Sequence, residues 1–485
     1  REKQTNLQAL FTASAADVER TTERLDEWAV AELQKKQQDD TSPSLHRLHA
    51  AYGLTYLGRP QGPQLLRCLA DVPPEEMANL QSAFKSCSHE DSVISELVLV
   101  AGESGDNALK AASVLVALGK VDLLQKLKVN DGDPSRRTYF VHNYYKWHGN
   151  ADLLRDGLPA AKDDDLRAAL CLALGFVDHQ RVPDDLMKEM KSLYVQSPAG
   201  TVHSAARSTL MRWGEELPPL TDEVASSEGR DWYVNSLGLV MAAVPMDADG
   251  KSQFIWTDKP ENDGQPHTVT LTRRFFISTT ELTVSQMLSV PSRQPAFGIV
   301  DPTQANLPAP EVGFYEAIEF CNWLSQQEQR SLCYEKVGQT WSCDFDRDGY
   351  RLPTEAEWKY ACRSGARTKY CFGDDASLLP MYAWTIENAG GRRHAVASLF
   401  PNAWGLFDMH GNMLEWCWDP YDRLPARDVT DPIGGRLSEL GRATCGGYWG
   451  IDGRFAITDD RGPRAASQPD AYIGLRIVRT MSSRR

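Results

Sequence analysis

Amphipathic helical patterns follow one another along the first 225 residues, separated by short polar breaks. Apolar residues recur at helical spacing in stretches such as Ala16–Gln34, Asn107–Leu118, Asp164–Leu174 and Ser204–Trp213. A glycine follows each of the last two, as is common where a helix ends. We therefore predict stacked helical pairs in a repeat arrangement over residues 1–225, although no fixed period can be read from the sequence.

The pattern changes after a polar, proline-containing linker, which we predict at Pro218–Ser227. Glycine, tryptophan and proline become frequent, and short β-like runs appear between irregular segments. The regular elements predicted here are strands at Thr268–Thr272 and Arg274–Ile277 and helices at Tyr315–Glu328 and Thr354–Arg363. Residues 226–485 are therefore predicted to form a second, mixed α+β domain with much irregular loop.

Composition agrees with a globular protein of two or three domains. The chain has 485 residues, of which 42% are hydrophobic and 24% are charged, and its net charge is −14. That negative charge argues against binding to nucleic acid or to anionic membranes, because such partners reward clustered Lys and Arg. The sequence contains neither an apolar stretch of membrane-spanning length nor the apolar core of a signal peptide, so we expect a cytoplasmic protein.

The ten cysteines are scattered, without the paired CxxC spacing of a zinc site. We expect mostly buried, reduced thiols, as in cytosolic proteins, with a Cys333–Cys343 bridge as the alternative. The chain starts with Arg1 and not with methionine. We therefore expect a fragment or a processed product, with a further domain upstream.

Several motifs in the second half occur in the order found in the formylglycine-generating enzyme (sulfatase-modifying factor) family. The segments that carry this resemblance are Phe275–Met287, Ala317–Ser325, Gly349–Gly365, Asn402–Trp416, Gly446–Trp449 and Gly474–Arg476. The resemblance spans about residues 231–480. It implies a C-type-lectin-like α+β fold with little regular secondary structure.

The helical half resembles, more weakly, the HEAT-like region that precedes such a domain in large multidomain bacterial proteins. The segments concerned are Ser135–His142, the helix at Asp164–Leu174 and the stretch around Ser204–Trp213. Those proteins often carry a protein kinase further upstream. The resemblance therefore implies an upstream kinase or another domain beyond this chain.

The resemblance also gives a test of activity. Active members of the family bind Cu(I) through two cysteines that follow an Arg-Gly-Gly-Ser stretch. Here Cys445–Trp449 stands at that stretch, and the two cysteine positions fall on Ile451 and Ala456, which cannot bind a metal. We therefore expect a pseudoenzyme without copper. A substitute nucleophile at Cys445, with His410 as its base, is the alternative to a core thiol.

A structural calcium site is implied by the resemblance in the Gly-Asn-Met-Leu-Glu-Trp segment. Carried over by position, its ligands are the Asp408 and Glu415 carboxylates and the Gly411 and Met413 carbonyls. Hard oxygen donors on a tight loop suit Ca²⁺. The alternative is that these groups cap local backbone.

A second acidic pattern matches the EF-hand loop expression literally. It consists of Asp344, Asp346, Asp348 and Gly349, followed by Glu355. An EF-hand needs a helix on each side, whereas the preceding residues read as a hairpin and Pro353 stiffens the loop. We therefore predict a polar turn here.

Three functions remain open from the sequence. The first is a binding or regulatory protein whose partner is a protein or peptide, such as a kinase or protease that it regulates or of which it is the substrate. The second is an enzyme with altered thiol- or metal-dependent chemistry in the same groove. The third is a purely architectural role for the helical half.

Overall fold

A computed structural model shows helices in the first half of the chain and a mixed α+β domain in the second. The residues described are 27, 29–38, 44–103, 105–127, 132–144, 151–220, 229–246, 250–256, 266–290, 302–338, 340–422, 427–433 and 441–481. Most of the predicted helix Ala16–Gln34 and of the predicted linker Pro218–Ser227 lies outside them.

The described part of the first 220 residues contains helices and no strand. Residues 29–38 are helical, and the helices that follow are α1 (Ser44–Tyr56), α2 (Gly62–Arg67), α3 (Met77–Lys85), α4 (Asp91–Ala101), α5 (Asp106–Ala117), α6 (Ser135–Asn143), α7 (Ala151–Gly157), α8 (Asp164–Leu174), α9 (Asp184–Gln196) and α10 (Gly200–Arg212). Several are in contact with helices close to them in sequence, as in the pairs α4–α5, α8–α10 and α9–α10. The helical prediction is confirmed, while the HEAT-like repeat type stays a prediction.

Local signals explain where α8 begins and ends. The Asp163 carboxylate accepts hydrogen bonds from the backbone N–H groups of Asp165 and Leu166, at 3.1 Å each, which satisfies two of the free donors at the helix start. Gly175 follows the last helical residue. The structure gives α8 the bounds Asp164–Leu174, as predicted. None of the described helices is both long enough and apolar enough to cross a lipid bilayer.

The chain divides into two compact units. One comprises Arg1–Leu127 and Tyr139–Lys162, and the other comprises Lys128–Thr138 and Asp163–Arg485. Helices α8 to α10 therefore belong to the same compact unit as the α+β domain. The boundary predicted at residue 225 marks a change of sequence pattern and stays a prediction, whereas the packing unit begins earlier.

The α+β domain combines three further helices with sixteen short strands in its described part. The helices are α11 (Val284–Met287), α12 (Phe314–Gln327) and α13 (Glu355–Arg363). The strands are β1 (Trp232–Val234), β2 (Val240–Ala243), β3 (Ser252–Trp256), β4 (His267–Leu271), β5 (Phe275–Ser278), β6 (Tyr334–Val337), β7 (Thr340–Cys343), β8 (Tyr350–Arg351), β9 (Ala383–Trp384), β10 (His410–Gly411), β11 (Leu414–Pro420), β12 (Val429–Thr430), β13 (Arg442–Cys445), β14 (Gly462–Arg464), β15 (Ile473–Gly474) and β16 (Val478–Thr480). The predicted helices and strands of this half are confirmed to within about two residues.

Two sheets hold the centre of this domain. The first has the order β1-β2-β5-β16-β8 and is antiparallel throughout. The second has the order β14-β13-β11-β15, with β15 parallel to β11. Apolar side chains around these sheets form two buried clusters, one that contains Phe314, Trp416 and Ile477 and one that contains Trp232 and Trp358.

The capping box predicted for α13 is present. The Glu357 N–H donates to the Thr354 hydroxyl at 3.1 Å, and the Thr354 N–H donates to the Glu357 carboxylate at 2.8 Å. The same carboxylate receives two hydrogen bonds from the buried Arg351 guanidinium, each of 2.7 Å. All ten cysteines are free thiols, including the Cys333 and Cys343 of the alternative bridge.

Candidate functional site

A buried ion pair lies in the central strand β11. The Glu415 carboxylate accepts hydrogen bonds from Arg476, at 2.6 Å from Nε and 2.7 Å from Nη2. The Trp358 indole N–H donates to the same carboxylate at 2.6 Å. Glu415 and Arg476 are fully buried. Because a buried charge needs both a counter-charge and hydrogen bonds, these contacts fix β11 against the C-terminal segment.

A second buried carboxylate, Glu281, lies close to this ion pair. It accepts hydrogen bonds from the Asn412 side-chain amide at 2.7 Å and from the Met413 N–H at 2.9 Å. Burial raises the pKa of Glu281 well above its usual range, and the charges of Asp408 and Glu415 raise it further. The Arg476 guanidinium and the hydrogen bond from Asn412 act in the opposite direction and lower this pKa.

Asn412 connects three segments around this centre. Its backbone N–H donates to the Trp384 carbonyl at 2.8 Å, and its carbonyl accepts from the Trp449 N–H at 3.0 Å. Its side chain accepts from the His394 N–H at 3.0 Å and donates to the His394 carbonyl at 3.2 Å. Asn412 has φ +59°, in the left-handed region that asparagine tolerates better than most residues. The asparagine of the predicted motif therefore positions the loop that begins at Gly446.

The four predicted calcium ligands lie in this buried segment. Asp408 accepts the Ala397 N–H at 2.7 Å, and burial raises the pKa of its carboxyl to about 6. Gly411 has φ +83°, and a Cβ there would lie 2.2 Å from the Trp384 carbonyl oxygen, so only glycine fits. Met413 donates its N–H to Glu281.

Glu415 does not fit the ligand role in this arrangement. Both of its oxygens are already bonded to Arg476, and a bound Ca²⁺ would lie against that guanidinium. Glu415 would have to release Arg476 to coordinate an ion. Calcium binding by this segment stays a prediction of the family resemblance, whereas the Glu415–Arg476 ion pair predicts that no calcium ion binds with Glu415 as a ligand.

The EF-hand-like acids are engaged in local contacts. Asp344 accepts from the Asp346 N–H and from the Arg347 guanidinium, at 3.1 Å each. Asp348 accepts from the Ser331 N–H at 3.1 Å. Glu355 is buried against Arg461, at 2.7 Å. Within the described residues, no group of three or more His, Cys, Asp or Glu side chains is arranged to hold a metal ion.

Ile451 and Ala456, the positions aligned with the family's two cysteines, lie next to Gly447. A Cβ placed on Gly447 would lie 3.3 Å from Ile451 Cγ2 and 3.3 Å from Ala456 Cβ. Ala456 is fully buried, and Ile451 is half-buried. The loop thus brings the two positions together, but with hydrocarbon side chains where the family's activity needs thiolates.

Cys445 is a core residue in this structure. It is 1% exposed, and its sulfur lies 3.8 Å from the sulfur of Cys417. His410, its candidate base, makes other contacts: Nδ1 donates to the Ala456 carbonyl at 2.8 Å, and Nε2 accepts from the Cys371 N–H at 3.2 Å. Burial lowers the pKa of His410 to about 4. A neutral imidazole whose two nitrogens are both engaged is a structural group.

Two aromatic rings of the same loop, Tyr448 and Trp449, lie close to the ring of Tyr472. Tyr472 lies 4.7 Å from Tyr448 and 5.2 Å from Trp449, measured between ring centroids. Tyr472 is 36% exposed, Phe455 in the loop is 42% exposed, and Ile386 is 60% exposed. The Ile386 N–H donates to the Ile451 carbonyl of the loop at 3.0 Å. We define the loop surface as these five side chains: Ile386, Tyr448, Trp449, Phe455 and Tyr472.

The partners of the predicted residues were not predicted from the sequence. Glu281 lies in Phe275–Met287, one of the segments that carry the family resemblance, but nothing in that segment links it to Asn412 or Met413, and Tyr472 carries no local motif. Arg476 lies in Gly474–Arg476, one of the segments that carry the family resemblance. Its positive charge, together with a glutamate in a predicted buried motif, is the signal in the sequence that could have indicated an ion pair.

The C-terminal half matches a known protein family. Residues 244–481 match the family described as "Sulfatase-modifying factor enzyme 1-like domain". The chain is 27% identical over 238 residues to "Chaperone protein LppX" of Paenibacillus barcinonensis, a match that covers 42% of this chain and 80% of that protein.

Two further relatives are matched over shorter segments. The chain is 35% identical over 124 residues to "Serine/threonine-protein kinase pkn1" of Chlamydia pneumoniae, which covers 23% of this chain and 19% of the kinase. It is 40% identical over 85 residues to the "Formylglycine-generating enzyme" of Streptomyces coelicolor, which covers 15% of this chain and 26% of the enzyme. The chain thus spans about a fifth to a quarter of the length of these two proteins.

Among solved structures, "Treponema denticola variable protein 1" is similar to this chain with a TM-score of 0.47 and 28% sequence identity. The match covers 52% of this chain and 98% of that one.

Proposed function

Residues 244–481 form a sulfatase-modifying factor enzyme 1-like domain, and we propose that in this chain the domain is a non-catalytic module that binds a protein or peptide. One observation carries the proposal. Ile451 and Ala456, which stand at the positions of the family's two cysteines, both lie beside Gly447. Neither side chain can bind a metal or form a covalent intermediate.

The loop surface supports recognition as the remaining role. Tyrosine and tryptophan supply large contact areas and polar edges, and they are enriched among the residues that dominate binding energy at protein interfaces. Here three such rings contact one another, and the exposed Ile386 and Phe455 belong to the same loop surface. The backbone beneath them is held by Asn412 through the Trp449 N–H, so the surface is positioned before a partner arrives.

The partner that we propose is a signalling enzyme, such as a kinase or protease, that this chain regulates or of which it is a substrate. A segment of this chain is similar to part of a protein named as a serine/threonine-protein kinase, which supports a connection to such enzymes. The helical region would supply a second binding surface, as stacked helices do in other scaffolds.

The alternative is an enzyme with altered thiol- or metal-dependent chemistry in the same groove, with Cys445 as its candidate nucleophile. Thiol catalysis needs an accessible sulfur and a base or cation that favours the thiolate. Cys445 is 1% exposed beside Cys417, and both nitrogens of His410 are bonded elsewhere. These contacts weigh against the alternative and favour a binding role.

The test uses the full chain as bait in the native host's extract, with quantitative mass spectrometry. A Trp449→Ala/Tyr472→Ala variant is the test protein, and Tyr56→Ala is the matched control, because Tyr56 is 91% exposed and lies in the other compact unit. We expect one discrete partner that binds the wild type and the control and is lost from the double variant by at least about tenfold. Equal capture by all three proteins would refute recognition by the loop surface.

A further inference from the structure

A cavity of about 520 Å³ opens on a different part of the α+β domain. Its walls come from the β3–β4 hairpin, from the end of α13 and the turn after it, and from Gly132. It shares no residue with the loop surface. The volume is in the range of sites that take small ligands.

Two features of the lining select a class of ligand. The apolar wall consists of Phe254, Ile255 and Tyr360, with the Phe254 and Tyr360 ring centroids 5.9 Å apart. Among the described residues that line the cavity, the charged ones are Arg363 and Arg367, and none is acidic. An apolar wall beside two guanidinium groups suits a ligand that carries an anionic group on an apolar body.

Arg363 has unused hydrogen-bonding capacity. Its side chain is about 5% exposed and is paired through Nη2 with Asp459. Its Nε is buried and has no hydrogen-bond partner in the described part of the chain. An unpaired buried donor is costly, and a ligand oxygen would satisfy it.

Arg367 is held in place by a glycine. Its backbone N–H donates to the Gly132 carbonyl at 2.7 Å. Gly132 has φ +84°, and a Cβ there would lie 2.6 Å from Arg367 Cγ and 2.7 Å from Cδ. The arginine stem therefore packs directly on Gly132, and Arg367, which is exposed, lines the cavity.

We propose that this cavity, defined by Phe254, Tyr360, Arg363 and Arg367, binds the carboxylate of an apolar ligand. The carboxylate accepts hydrogen bonds from Arg363 Nε and from the Arg367 guanidinium, and the apolar body packs on Phe254 and Tyr360. A planar carboxylate matches the guanidinium fork, which is why arginine recognises this group so often. The carboxylate belongs either to a small molecule or to the C-terminus of a peptide.

The test measures the affinity of the full chain for 3-phenylpropionate, with the neutral 3-phenylpropionamide as the matched ligand, by ligand-observed NMR titration. We expect saturable binding of the carboxylate at millimolar concentration and binding of the amide that is weaker by at least about tenfold. Equal binding of both ligands, or no saturable binding of the carboxylate, would overturn the proposal.

Variants locate the binding in this cavity. Arg367→Gln should weaken binding by about tenfold, and Gly132→Ala should weaken it by displacing the Arg367 stem. Arg392→Gln is the control, because Arg392 is exposed and does not line the cavity. Arg363→Lys is an independent variant. It keeps a cation for Asp459 but removes Nε, so it should also weaken binding. Wild-type affinity in both Arg367→Gln and Arg363→Lys would overturn the assignment.

The source of the carboxylate is decided by a second pair of ligands. A short peptide that ends in phenylalanine is compared with its C-terminal amide. A free-acid peptide that binds at least about tenfold more tightly than 3-phenylpropionate assigns the site to protein C-termini. A peptide that binds no better than the small acid assigns it to small carboxylates.

Discussion

Arg476 donates hydrogen bonds to both carboxylate oxygens of Glu415, from Nε at 2.6 Å and from Nη2 at 2.7 Å. Both side chains are fully buried. Arg476 also donates to the carbonyls of Ser278 and Phe407, at 3.0 and 2.9 Å. One arginine therefore joins β5, the segment before β10 and the central strand β11. The burial of this charge is tolerated because every contact compensates part of its lost hydration.

Glu415→Gln should destabilise the fold strongly. The substitution keeps the shape of the side chain but leaves Arg476 as a buried charge without its counter-ion, which costs about 3–5 kcal/mol in comparable pairs. The measurement is the free energy of unfolding in urea, followed by tryptophan fluorescence. Glu335→Gln in the exposed β6–β7 hairpin is the control and should change stability by less than about 0.5 kcal/mol. If Glu415→Gln and the wild type had equal free energies of unfolding, the ion pair would contribute little to stability.

Calcium removal is a separate test of the same segment. Because Arg476 already neutralises Glu415, we expect the melting temperature to be the same in excess calcium and in EGTA. If a calcium site exists and the calcium concentration is a hundred times its Kd, binding would instead add about 2.7 kcal/mol to the free energy of unfolding. That increase would raise the melting temperature by several degrees. A rise of that size in calcium would require Glu415 to leave Arg476, and it would support the ligand set implied by the family resemblance.

The elements that the sequence predicted well are those with local causes. The start of α8 at the Asp163 cap and the capping box of Thr354 and Glu357 depend on residues only a few positions apart, so the sequence displays them directly. The order of the family motifs likewise predicted the domain, at about residues 231–480, and the family match covers residues 244–481.

The contacts that the sequence did not predict join residues far apart in the chain. Glu281 meets Met413 across 132 positions, and Arg476 meets Glu415 across 61. Neither pairing leaves a periodic or local signal, because it depends on how β11 packs in the folded core. The family resemblance implies the calcium ligands by their position in a motif, and position in a motif carries no information about the contact between Glu415 and Arg476.

Helices α8 to α10 should be required for the stability of the α+β domain. The Trp232 indole N–H donates to the Ser197 carbonyl at 2.9 Å, and the Trp232 ring is stacked on His203 at 3.8 Å. The Arg212 guanidinium lies 4.7 Å from the ring centroids of both Phe176 and Phe400. A fragment that starts at residue 226 lacks Ser197, His203 and Arg212 and would therefore expose Trp232 and Phe400. Burial of a large apolar side chain is worth about 1.5–3 kcal/mol.

The measurement compares the fragments 163–485 and 226–485 by thermal unfolding and by tryptophan emission. We expect the shorter fragment to melt at a lower temperature and to emit at longer wavelength, because Trp232 becomes hydrated. Identical melting curves would mean that the α+β domain is autonomous from residue 226, as the change of sequence pattern suggests.

Thiol labelling distinguishes the binding role from the enzymatic alternative. Cys343 is half-buried, whereas the other nine cysteines are buried, so we expect iodoacetamide to modify Cys343 first under native conditions. The reaction should be slow, because burial raises the pKa of Cys343 and disfavours the thiolate. Cys445 should react only after unfolding. Peptide mass spectrometry reads both sites, and selective native labelling of Cys445 would favour thiol chemistry at that position.

His203 should make stability fall as the pH is lowered below about 6.5. Its ring is stacked between Tyr194 and Trp232, its Nδ1 donates to the Tyr194 carbonyl at 2.6 Å, and burial lowers the pKa of the folded protein's His203 to about 3. Between pH 6.5 and 3 the unfolded chain takes up a proton that the folded chain does not. The contribution of His203 to the free energy of unfolding is therefore complete above about pH 6.5. It decreases as the pH falls, by about 1.4 kcal/mol per pH unit.

His203→Phe keeps an aromatic ring between Tyr194 and Trp232 but cannot titrate. It should lower stability at pH 7.5, because the hydrogen bond to the Tyr194 carbonyl is lost. Its free energy of unfolding should then depend less steeply on pH than that of the wild type, by about 1.4 kcal/mol per unit between pH 6 and 5. His179→Phe is the control, because the His179 side chain is 53% exposed. Equal slopes for the His203→Phe protein and the wild type would mean that His203 is already accessible to protons in the folded chain.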